Sequence, residues 1–145
     1  APVTGEAACS VSRVFAQAVA DGLIVRSERN AVALDLDGDG YEQTGWVILY
    51  MHLADKDRVT AGEWVQLNDR LGHPSCEGGV STGTHTHIAR KYNGEWIAAD
   101  GPLPFVLSGW VAHAWERNYY GELTRGTQAV VASPVGPQTS IIVRD

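Results

Sequence analysis

The run Gly45-Trp46-Val47-Ile48-Leu49-Tyr50-Met51-His52 constrains this chain more than any other stretch. It is almost wholly apolar and rich in β-branched and aromatic residues, which suits the central strand of a sheet. Turn chemistry precedes it: Asp37-Gly38-Asp39-Gly40 is a strong hairpin signal, and residues 31–37 before it alternate apolar and polar side chains. Shorter strands are expected at 14–20 and 23–26 around the turn Asp21-Gly22, and at 70–73. Residues 84–92 and 95–98 should pair over Asn93-Gly94, and 122–124 with 128–132 over Arg125-Gly126. Residues 59–65 carry turn chemistry flanked by β-branched residues. Residues 99–120, with Pro102 and Pro104, read as irregular, with one short helix near 109–115. The expected fold is mainly β, a compact antiparallel sheet or sandwich with functional loops.

At 145 residues the chain fits a single domain, residues 1–145, with a sizeable core. Its net charge of −6 and lack of a basic run argue against nucleic acid as a partner. No apolar stretch approaches membrane-spanning length, and no signal peptide is recognisable. The chain opens on Ala-Pro-Val rather than Met and reads as a processed form or a fragment. Its two cysteines, Cys9 and Cys76, lack the paired spacing of a zinc finger. They are either buried free thiols or a disulfide closing a long loop in a secreted protein. The expected arrangement is the disulfide, tying the N-terminal segment to the loop that opens at Cys76.

Chemistry concentrates in Ser81-Thr82-Gly83-Thr84-His85-Thr86-His87. Histidines at i and i+2 of a strand face the same side of the sheet. Two imidazoles there suit a metal ligand beside a general base. The glycine and small hydroxyl residues before them suit a tight approach turn. His52 ends the apolar run and, taken alone, reads as a satisfied core histidine. His73 reads as structural, and His113 is assigned no role. Asp35, Asp37, Asp39 and Glu42 have the spacing of part of a calcium loop, but Trp46 stands where a bidentate Glu would close it. A solvated hairpin is the expectation there. Trp96, Trp110, Trp115 and the Tyr119-Tyr120 pair are candidates for a substrate platform, against core or rim packing.

The order of motifs is more specific than any one of them. Ala-Asp-Gly (20–22), Tyr-Met-His-Leu (50–53), Val-Thr-Ala-Gly-Glu-Trp-Val (59–65), Leu-Gly-His (71–73) and Ser-Thr-Gly-Thr-His-Thr-His (81–87) together resemble the lysostaphin-type, or LytM, zinc endopeptidases. The likeness is greatest to the β-lytic or staphylolysin branch, through Cys76–Gly83 (Cys-Glu-Gly-Gly-Val-Ser-Thr-Gly) and the Tyr92-Asn93-Gly94 hairpin, and it covers roughly residues 14–98. The resemblance implies that His87 is a zinc ligand and His85 the general base for the zinc-bound water. It implies that His52 helps stabilise the tetrahedral oxyanion. These roles agree with chemistry in which zinc lowers the pKa of its water, an imidazole takes the proton and a second donor steadies the developing charge.

Thr84 and Thr86 stand where the family usually has Pro and Leu. The family's first motif, a His followed by an Asp that both bind zinc, has no counterpart, since no histidine precedes His52. A catalytic zinc takes about three protein ligands. The expectation is that this His and Asp lie upstream of Ala1. The resemblance implies a secreted or extracytoplasmic enzyme, with Zn2+ as cofactor, acting on bacterial cell-wall peptides, with an upstream fragment of the same protein as a further candidate partner. The alternative is a non-catalytic peptidoglycan-binding or regulatory module on the same fold. A calcium-stabilised structural β domain is a third reading.

Overall fold

The computed structural model describes residues 8–132 and residue 142. Its described elements are all strands. The contacts divide the chain into two compact units, Ala1–Trp96 and Ile97–Asp145.

The first unit is built on the expected central strand. Strands β1 (Ala16–Gln17), β2 (Gly22–Glu28), β3 (Ala31–Asp35), β4 (Trp46–Met51), β5 (Trp64–Val65), β6 (Arg70–Gly72), β7 (His87–Tyr92) and β8 (Glu95–Ile97) follow in chain order. Six of them form a sheet in the order β5-β2-β3-β4-β7-β8, while β1 pairs with β6. β4 lies between β3 and β7, with Leu34 opposite Ile48 and Met51 opposite His87. Its apolar run is explained by burial on both faces. Ile48 and Tyr50 join one cluster with Val32, Leu34, Ile24, Leu53 and Leu71, and Val47 and Leu49 join another with Ala31 and Ala33. Successive residues of a strand point to opposite faces, so a doubly covered strand has no polar positions to spare.

Strand ends depart from the expected bounds where side chains matter. The segment 14–20 keeps only two strand residues, and Val14 and Val11 remain exposed. Residues 84–86 fall outside β7. The β4–β7 ladder stops at Met51 because His52 takes a left-handed backbone, φ 65°, and leaves the pleat. Asn93 and Gly94 have φ 48° and 80°, both positive, as a type I′ hairpin turn between β7 and β8 requires.

The second unit is a four-stranded sheet in the order β12-β11-β10-β9, from β9 (Val106–Leu107), β10 (Trp110–Ala114), β11 (Gly121–Arg125) and β12 (Gln128–Val131). The helix expected near 109–115 is instead strand β10. Ser108 and Gly109 both have positive φ, making a tight turn that returns β10 against β9, and Val111 is paired on both sides, with Val106 and Thr124. Strand pairing overrides the weak local preference of so short a segment.

Candidate functional site

The site begins at the end of β4. His52 is 5% exposed. Its left-handed backbone is held by Ser75, a buried residue whose N–H and Oγ both donate to the His52 carbonyl, at 2.7 and 2.9 Å. The His52 ring is fixed as well: Nδ1–H donates to the Glu77 carbonyl at 2.8 Å. A carbonyl can only accept, so Nδ1 carries a proton, and Nε2 holds the lone pair when the ring is neutral.

His85 reaches the same place from the other side of the loop. It bridges to Ser75, the residue that holds His52. Its ring centroid lies 4.6 Å from that of His52, with the planes tilted by 47°. Nδ1–H of His85 donates to the Gly83 carbonyl at 2.7 Å, and Ser81 Oγ stands 3.3 Å away. Nε2 is therefore the free, basic nitrogen. His87 opens β7 opposite Met51. His85 and His87 are exposed, while Thr86 between them has a buried hydroxyl. That alternation puts both imidazoles on the solvent side of the segment.

Residues beside the histidines shape the site. Thr84 is buried. Its N–H donates to the Ala8 carbonyl at 2.7 Å and its hydroxyl to the Ser10 carbonyl. A proline at 84 would lack that N–H. Cys9 and Cys76 form a disulfide with Cα atoms 5.3 Å apart, as expected, so residues 8–10 are tied to the loop by a covalent bond and by Thr84. Asn30, at the β2–β3 turn, donates through Nδ2 to the Leu53 carbonyl at 3.0 Å and to the Glu77 carboxylate at 2.7 Å, closing the other flank of His52. Short polar residues of this kind are common in any loop; only their partners distinguish them.

The remaining candidates lie elsewhere. His73 stacks on Phe15 at 3.9 Å, with Nδ1 bonded to the Val14 carbonyl at 3.3 Å, which is a structural role. His113 in the second unit bonds through Nε2 to the Thr124 hydroxyl at 2.8 Å. The aromatic candidates divide: Trp110 is buried, whereas Trp96, Trp115 and Tyr119 are exposed.

As a metal centre the described residues are incomplete. The one cluster of three or more metal-donor side chains among them is Asp35, Asp37 and Asp39; none includes His85 or His87. A zinc ion needs about three protein donors, so these histidines do not by themselves make a zinc site.

No protein-family model matches the chain. Over 65 residues, 40% of this chain, it is 35% identical to protease LasA of Pseudomonas aeruginosa, in two strains. The matched stretch spans 15% of the length of those curated relatives. Among solved structures it is similar to pseudoalterin, an M23 metalloprotease from the deep sea, with TM-score 0.69 and 21% identity, covering 88% of this chain and 75% of that one. The chain thus has the fold of the M23 metalloproteases, and the resemblance to lysostaphin-type peptidases drawn from its motifs is borne out.

Proposed function

We propose that this chain carries the working histidines of a secreted zinc metalloendopeptidase that hydrolyses peptide bonds in bacterial cell-wall peptidoglycan. The observation that supports this most is the pairing of His52 and His85. Their rings lie 4.6 Å apart, and each is held by Nδ1 on a backbone carbonyl so that Nε2 is left for chemistry. His85 is the general base that takes a proton from the attacking water. His52, once protonated at Nε2, is the donor to the oxyanion of the tetrahedral intermediate. His87 is one zinc ligand, and the family's first-motif His and Asp, contributed by sequence preceding these residues, are the others.

The experiment is a pair of variants in a protein that includes that upstream sequence. His87→Ala should lose bound zinc, measured by elemental analysis. His85→Ala should keep zinc and lose cell-wall hydrolysis by roughly 100-fold or more. Equal zinc loss in both variants would overturn the division of roles. The 145-residue chain alone should hold zinc poorly; stoichiometric zinc on it would contradict the need for outside donors.

The incomplete donor set favours one other reading, a peptidoglycan-binding or regulatory module without catalysis. Sedimentation with purified cell walls separates the two: a module binds and leaves the wall peptides intact whatever precedes it.

A further inference from the structure

The loop between β3 and β4 collects three carboxylates around one point. An oxygen from each of Asp35, Asp37 and Asp39 lies within 4.8 Å of the others. On an exposed turn such a group would be unremarkable. Here Asp35, the last residue of β3, is 0% exposed. Its Oδ2 accepts the Gly40 N–H at 2.9 Å, but its Oδ1 is inaccessible to solvent and without a hydrogen-bond partner. A buried carboxylate oxygen with nothing to accept from is costly, and two further carboxylates beside it raise the cost. A cation seated among the three would offset both.

The backbone supports the same assignment. Counted from Asp35, the acids stand at positions one, three and five, and Gly40 at six, with φ 90°. A Cβ on Gly45 would fall 2.2 Å from Asp37 Oδ2, so the absence of a side chain there is what admits that carboxylate. An all-oxygen, multiply charged donor set on a loop selects a hard cation, and a loop that can supply variable numbers of carbonyl and water oxygens favours calcium over the stricter octahedral geometry of magnesium.

We propose that the β3–β4 loop is a calcium site, in which the carboxylates of Asp35, Asp37 and Asp39 take the ion and loop carbonyls and water complete its shell. Trp46 replaces the closing Glu of a twelve-residue calcium loop, so the affinity belongs with the weaker, extracellular range of about 10⁻⁴–10⁻³ M. The ion would brace the hairpin that carries β4, independently of any zinc at the histidines.

Thermal unfolding tests this without activity. Relative to EDTA, calcium in about 100-fold excess over its Kd should raise Tm by about 5–10 °C, and magnesium at the same concentration should give much less. Asp37→Asn, at an exposed position, should fold with a Tm in EDTA no lower than that of the native chain, since it removes one of the charges crowding Asp35, and lose most of the calcium response. Asp35→Asn should lose the response and also gain Tm in EDTA, because it removes an uncompensated buried charge. No rise with calcium, an equal rise with magnesium, an undiminished rise in Asp37→Asn, or a lowered Tm of Asp35→Asn in EDTA would each overturn the assignment.

Discussion

Tyr50 takes a phenol into the centre of the larger apolar cluster, where it is 2% exposed and accepts the Val19 N–H at 3.0 Å. Burial pushes its hydroxyl up to about 12. In the unfolded chain the same group ionises near 10. The fold thus favours the neutral phenol. That contribution, on the order of 2 kcal/mol, is complete below pH ~10 and is lost as the pH rises through 12. Urea midpoints at pH 8 and pH 11 check this: the native chain should lose more stability over that interval than Tyr50→Phe. Groups other than Tyr50 contribute to both proteins and cancel, so equal losses would exclude Tyr50 as the source. At pH 8 the variant should already be weaker by about 1–3 kcal/mol, because the Val19 amide is left without its acceptor.

Among the elements, β2 shows how closely the sheet is drawn together. Gly22 opens that strand, and a Cβ there would lie 2.4 Å from the Asp35 carbonyl oxygen and 2.8 Å from Leu34 Cδ1. The first of these is backbone and cannot step aside. Gly22→Ala should therefore pry β2 from the end of β3 and cost about 1–3 kcal/mol in chemical denaturation, with amide exchange of Leu23, opposite Asp35, accelerated before that of Ile24, which donates to the Glu63 carbonyl on the other side of β2. The elements legible in the sequence were those with a periodic or punctuated pattern. β4 was marked by its apolar run and β7–β8 by Asn93-Gly94. At β10 the sequence favours neither helix nor strand, because Trp110–Ala114 is too short for periodicity to separate the two, and the deciding factor, pairing with β9 and β11, is not local. The same holds at the site. The motif order singled out His52, His85 and His87. Ser75, whose bonds hold His52, looks like an ordinary loop residue until its partners are known, and Thr84 is legible only as a departure from the family's Pro, with no sign of its bonds to residues 8 and 10.

On the scale of the whole molecule, the Cys9–Cys76 bond spans a sequence separation of 67 residues, the part of the chain that runs from before β1 to beyond β6. A cross-link over so long a loop restricts the unfolded chain and should contribute about 2–4 kcal/mol. Denaturation with and without reductant measures it. The reduced protein should also lose definition at His52, whose ring is bonded to the carbonyl of Glu77, the neighbour of Cys76; its histidine NMR signals should broaden or shift before the chain unfolds globally. The bond has another consequence. Every residue from Ser10 to Ser75 lies inside a covalent ring. A protease that cuts an exposed turn within it, such as the one at Asp55-Lys56-Asp57, linearises the ring but releases no fragment. Such nicked molecules should run as one species in non-reducing electrophoresis and fall into two only when reductant is added. In surroundings rich in foreign proteases, this protein can survive a first cut as a single molecule.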